Sequence, residues 1–177
     1  MHRVLLKISG EALGGSEGTG IQAEVIRSVA RQVKSVLELG IQVGMVVGGG
    51  NIFRGVQGTA TGIKRVPGDF MGMLATIINA VAVQNIFTDS GVNSKVMTPF
   101  RLQEYVELHN VEKALNYMAN GHVVLFAGGA GHPFFTTDPA AALRASEIGA
   151  DLLIKATKVN GVYDRDPMKH SNALFYK

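Results

Sequence analysis

The 177-residue sequence predicts an α/β fold, a three-layer αβα sandwich around a mainly parallel central sheet. Three observations carry this. Short apolar, β-branched runs are each closed by glycine or a polar turn, amphipathic helical patterns fall between them, and the connections are short enough for βαβ units. With 46% hydrophobic against 18% charged residues, the chain can bury a large core, which excludes intrinsic disorder and favours a single domain over residues 1–177.

Taken in order, residues 3–8 form an apolar run closed by Ser9-Gly10, a buried strand ending at a tight turn. From residue 23 to 39, Ile26, Val29, Ala30, Val33, Val36 and Leu37 recur at helical spacing, and Gly40 suits the left-handed position after the last turn. A second strand, 42–47, runs directly into Gly48-Gly49-Gly50-Asn51. Residues 69 to about 87 are apolar on nearly every side, which predicts a helix buried on more than one face or used in contact between copies of the chain. A strand over 94–97 and a short helix over 111–118 follow. The strand 122–126 leads into Ala127-Gly128-Gly129-Ala130-Gly131, and Asp138-Pro139 reads as the cap and first residue of a helix running to Ile148. The run 152–155 is a fifth strand, and 156–167 is polar and rich in turns.

Composition narrows the function. Seventeen basic against fourteen acidic residues give +3, spread without long like-charge runs, so nucleic acid is not an expected partner. The absence of cysteine removes disulfides, thiolate metal sites and a cysteine nucleophile, and is compatible with a reducing cytosol, the expected location. The N-terminal apolar stretch is broken by Lys7 and does not read as a signal peptide. No stretch of about eighteen uninterrupted apolar residues is present, so no membrane span is expected.

In parallel sheets ligands sit beyond the carboxyl ends of the strands, where these loops gather. Clustered glycines let peptide N–H groups approach an anion, so phosphate is the natural ligand; the alternative for any one cluster is an ordinary turn. Two common nucleotide signatures are absent: Gly50 and Gly55 have phosphate-loop spacing, but Val56 and Gln57 stand where Lys and Ser/Thr are required, and no G-x-G-x-x-G occurs. Lys7 either projects over the phosphate edge or snorkels out of a strand end, and Lys155 ends its strand in the same manner. Arg54 offers a planar fork for phosphate. Asp69 and Asp138 either cap helices or face a ligand. The five histidines show no metal-ligand spacing, and no metal site of protein ligands is assigned.

The stretches KISGEALGG, GIQVGMVVGGGNIFRG, GDFMGMLAT, AGGAGHPFFTTD and IKATKVNGVYDRDP resemble the bacterial uridylate (UMP) kinases of the amino acid kinase superfamily, in order from Val4 to Pro167. The resemblance implies transfer of the γ-phosphoryl group of Mg·ATP to UMP, giving UDP and ADP in pyrimidine nucleotide synthesis, by a homohexamer. It places Lys7, Ile8, Ser9, Gly10, Gly50, Arg54, Thr157, Tyr163 and Asp166 on ATP. Gly49, Arg54, Asp69, Ala130, Gly131, His132, Pro133, Phe134, Phe135, Thr136 and Thr137 fall on UMP, and Lys7, Arg54, Asp138 and Lys155 on the transfer itself. Gly15, Ser16, Glu17, Gly18, Thr19 and Gly20 match a segment associated with activation by GTP, and UTP is the implied inhibitor.

Two departures are visible within the motifs: Ala130 stands where threonine is often found and His132 where asparagine is common. The resemblance also implies further strands and helices beyond Lys177, so the chain reads as a domain short of the family's C-terminal portion. Besides a UMP kinase, two alternatives follow from the same fold: a carboxylate or carbamate kinase, and a non-catalytic uridine-nucleotide-binding regulatory module.

Overall fold

The computed structural model describes residues 2–54, 62–102, 104–157, 159 and 161–176. Gly55, Val56 and Gln57, cited above for the missing phosphate-loop signature, lie outside the described residues, as does Lys177.

Six strands form one sheet: β1 (Arg3–Ile8), β2 (Gln42–Val47), β3 (Ser94–Thr98), β4 (Glu107–Leu108), β5 (Val123–Phe126) and β6 (Leu152–Ala156). Their spatial order is β4-β3-β5-β2-β1-β6, with every neighbouring pair parallel. Parallel neighbours need crossovers, and the helices supply them: α1 (Gly10–Leu13), α2 (Ala23–Glu38), α3 (Arg65–Asp89), α4 (Val111–Ala119) and α5 (Thr137–Glu147). A separate antiparallel pair, β7 (Val162–Tyr163) and β8 (Phe175–Tyr176), follows.

The strand period of two sorts the core into two layers. Val4, Ile8, Val43, Met45, Val47, Val123 and Leu125 face α2 and α3, which contribute Ile26, Ala30, Val33, Ile77, Ala80 and Phe87. Leu5, Val46, Val124 and Phe126 face the opposite way, against Ala114 and Met118 of α4 and Ala141 of α5. The expected three-layer sandwich is therefore present. Its coverage is uneven, because β6 is an edge strand whose Leu152, Leu153 and Ile154 are each about two-fifths exposed.

Most element boundaries fall where the sequence placed them. After α2, Gly40 takes φ 76°, the left-handed conformation only glycine adopts without cost. Two helix starts differ. α3 begins at Arg65, four residues before the expected 69, because Pro67 sits in the first turn, where its missing N–H has no intrahelical partner to lose. α5 begins at Thr137 with Thr136 as N-cap, so Asp138 is inside the helix and is not its cap. α1, β4 and the β7–β8 pair were not expected; each is too short to leave a periodic signal.

By length and composition alone the 25 residues of α3, with a window of mean hydropathy 1.6, would suffice to cross a bilayer. In this fold Met73, Ala75, Ile77, Ala80, Val83 and Phe87 are instead buried inside the protein.

Candidate active site

The loops after β1, β2, β5 and β6 leave the same edge of the sheet, since these four strands are parallel and adjacent. Between them lies a cleft of about 580 Å³, lined by Lys7, Ser9, Gly10, Asp69, Phe135 and Thr136 among others. Glycines 48, 49, 50 and 129 line its floor.

Lys7 is 7% exposed, and its Nζ lies 2.7 Å from Asp138 Oδ1. Lys155, its in-register partner on β6, places Nζ 2.7 Å from Asp138 Oδ2. One carboxylate therefore bridges two ammonium groups on adjacent strands. Partial burial pushes the Asp138 carboxyl upward, but hydrogen bonds from Lys155 and Lys7 and their charges outweigh it and hold the group below its ordinary range. Lys7 is thus not a snorkelling strand end but a buried cation with a fixed counterion.

The glycine loops are in backbone contact. A Cβ on Gly10 would meet Gly50 N at 2.6 Å and Asn51 Oδ1 at 2.4 Å, and one on Gly48 would meet Gly10 N at 2.6 Å. Only bare peptide units fit here, which crowds N–H groups at the cleft floor. Arg54 stands over Gly50 and forms an ion pair with Glu11. Ser9 caps α1 by accepting from Ala12 N at 3.2 Å.

Asp69, also lining the cleft, accepts from Arg65 Nε at 2.8 and 2.9 Å and from Phe134 N at 2.8 Å. Burial pushes this carboxyl up, while those two donors and the Arg65 charge pull it further down, below the usual value. Arg65 in turn lies 5.4 Å from the Phe134 ring centroid, and Phe134 has φ 72°. Thr136 and Thr137 bring the N-terminus of the eleven-residue α5 to the cleft, with its unpaired N–H groups and positive potential.

Of the residues singled out in the sequence, Lys7, Ser9, Gly10, Gly49, Gly50, Arg54, Asp69, Phe135, Thr136 and Thr137 line this one cleft; Asp138 joins it through Lys7, and Lys155 through Asp138. Ile8 is buried in the core, and Ala130, Gly131, His132 and Pro133 sit beside the cleft without forming its wall. Thr157, Tyr163 and Asp166 are not on the wall either: Thr157 Oγ1 donates to Val159 O, Tyr163 stacks on Phe175, and Asp166 accepts from Met168 N. In the 15–20 segment, Gly20 is tied to Asn51 by bonds of 3.1 and 2.6 Å. Glu11, Phe53, Arg65 and Thr76 were missed. Arg65 had a signal, four residues before Asp69 on one helix, and Thr76 had another, a polar residue in an apolar run.

A parallel sheet whose carboxyl edge carries two packed glycine loops, a helix N-terminus and a lysine–aspartate–lysine bridge defines a phosphate-binding α/β domain. The amino acid kinase family model matches residues 2–177, and the chain belongs to that family. It is 51% identical over 174 residues to the uridylate kinase of Methylococcus capsulatus, spanning 98% of this chain and 73% of that protein. The uridylate kinase of Aliarcobacter butzleri is likewise 51% identical, over 97% of this chain and 73% of its own. The crystal structure of UMP kinase from Bacillus anthracis superposes with a TM-score of 0.90 at 37% identity, covering 98% of this chain and 72% of that one. An isopentenyl phosphate kinase structure, 18% identical with a TM-score of 0.71 over 97% of this chain and 78% of that one, shares the fold alone.

Proposed function

We propose that this domain is a UMP kinase: it transfers the γ-phosphoryl group of ATP to UMP, giving ADP and UDP. The observation that carries the reading is the bridge of Lys7, Asp138 and Lys155 at the rim of a cleft floored by two glycine loops. Likeness to uridylate kinases at half identity supports the acceptor.

The acceptor phosphate has a second pKa of about 6 and is already mostly ionised near neutral pH, so no general base is required. The barrier lies in bringing two anions together in line, which positioning and cancellation of charge can lower. Lys7 and Lys155 supply positive charge at fixed positions, and Asp138, held ionised by them, orients both and takes no proton. Ser9, Gly10, Gly50 and Arg54 hold the ATP phosphates, with Thr157, Tyr163 and Asp166 toward its adenosine end. Gly49, Asp69 and the segment 130–137 hold UMP. The acidic groups Glu11, Asp69 and Asp138 are each committed to a cation, and among the described residues no three His, Asp or Glu side chains are grouped as metal ligands. Mg²⁺ in this reading enters with ATP as part of the substrate.

A homo-oligomer, read as a hexamer, is supported by Val66, Phe70, Leu74 and Ile78, an exposed apolar stripe at four-residue spacing on α3. GTP activation through the 15–20 segment, inhibition by UTP and a cytoplasmic setting rest on the family resemblance and the cysteine-free composition. The deciding experiment is coupled ADP release with ATP and, side by side, UMP, CMP and N-acetylglutamate. UMP-dependent release is expected; its absence, or faster release with N-acetylglutamate, overturns the reading.

A further inference from the structure

Two polar side chains of α3 are buried among its apolar ones. Thr76 is 3% exposed and Asn79 is 0% exposed. A buried amide is tolerated when its donors and acceptor are satisfied, and the partners here are the glycine loops themselves. Asn79 Nδ2 donates to Gly48 O and to Asn51 Oδ1, both at 2.7 Å, and its Oδ1 accepts from Asn51 Nδ2 at 3.0 Å. Thr76 Oγ1 donates to Met73 O and accepts from Gly128 N, each at 2.7 Å. Asn79 therefore grips the loop after β2, and Thr76 the loop after β5.

The loops have little room to move independently of the helix. A Cβ on Gly49 would meet Gly72 O at 2.8 Å and Thr76 N at 2.9 Å, so that loop rests on the α3 backbone. A Cβ on Gly128 would meet Thr98 Oγ1 at 2.7 Å and Pro99 Cδ at 2.8 Å, which closes the other loop from behind. Residues three apart share a helix face at a spacing the helix itself sets.

We propose that Thr76 and Asn79 are positioning residues that fix the separation of the two glycine loops, and with it the distance between donor and acceptor phosphates. This rests on the reading that the cleft holds ATP and UMP together. Reacting atoms must approach to about 3–3.5 Å, and a displacement of about 1 Å costs on the order of a hundredfold in rate. A rigid spacer acts on that distance through the loops it ties together, Asn79 from behind the cleft lining and Thr76 from within it.

The test compares Thr76→Val, Thr76→Ser and Asn79→Ala with the unaltered chain. In Thr76→Val and Asn79→Ala, kcat falls about tenfold or more while KM for ATP and for UMP stays within about threefold; Thr76→Ser, which keeps the hydroxyl, stays within about threefold throughout. A bridged ligand, adenosine and uridine joined by five phosphates, must span both loops. By calorimetry it loses about tenfold or more in affinity for the two altered chains, at least about threefold more than UMP alone loses. Should Asn79→Ala fail to fold, Thr76→Val, which preserves volume, carries the same test. A lowered melting temperature with unchanged kcat per folded chain and unchanged bridged-ligand affinity overturns the proposal, as does an equal loss in the Ser and Val variants. An unaltered chain that neither turns over nor binds the bridged ligand overturns the UMP kinase reading, and this proposal with it. An unaltered chain that binds it no better than the variants do overturns the positioning role alone.

Discussion

An ammonium group buried at a strand end is costly unless a counterion meets it there. Lys7 is such a group, and Asp138 meets it while also holding Lys155. Replacing Lys7 by alanine should lower kcat on the order of a hundredfold with little change in KM, by comparison with removal of a preorganised oxyanion donor; steady-state kinetics with ATP and UMP check this, and near-normal turnover would refute the assignment. Asp138→Asn keeps the shape but leaves both lysines without their negative partner, so both kcat and melting temperature should fall. The same carboxylate fixes a pH dependence. Asp138 and Asp69 have folded-state values below 3.8, so their ionised forms favour the native state. That stability is fully present above the unfolded value and is lost as pH falls through the folded values. Thermal melts should show no pH dependence from these groups between about pH 6 and 8, where their contribution is full and constant, and a decline below about pH 4. A decline instead centred near neutrality would assign the effect to other groups.

At the scale of elements, the packing of the glycine loops on their neighbours controls the site. Gly49→Ala would force a Cβ to 2.8 Å from Gly72 O, so either the loop or α3 must shift. A loss of about 1–3 kcal/mol is expected, as for overpacking elsewhere, with a matching fall in melting temperature; an unchanged melt would mean that the loop is looser than its contacts imply. These loops were legible in the sequence because a glycine run directly after a β-branched strand marks a place where the backbone must come close to another backbone or to a ligand. β1 and β2 accordingly fall on their expected residues. Asp138 was placed on the right edge with two roles open, helix cap or ligand-facing group, and the cap position belongs to Thr136. The Asp-Pro pair imitates a cap, and nothing local shows that Thr136 starts the helix two residues earlier. Glu11, the partner of Arg54, was illegible because it lies 43 residues away, in the short helix that follows another strand. The Asn51–Asn79 pair leaves only a faint trace, an amide within the apolar run 77–83, and its partner is known only once the chain has folded.

For the whole molecule, α3 faces two ways: inward it holds both loops, and outward it presents Val66, Phe70, Leu74 and Ile78. Leu74→Glu combined with Ile78→Glu should lower the mass measured by sedimentation while leaving the far-ultraviolet circular dichroism unchanged. An unaltered mass would remove this stripe from any subunit contact. The pairing of Lys7 with Lys155 across the β1–β6 ladder has a consequence of its own. Because side chains alternate between faces, sliding β6 by a single step would carry Lys155 to the far side of the sheet while the chain stayed just as condensed. Turnover per mole of protein is therefore a gauge of how many copies have their edge strand seated in the correct notch, a defect that spectroscopy of bulk structure would pass over.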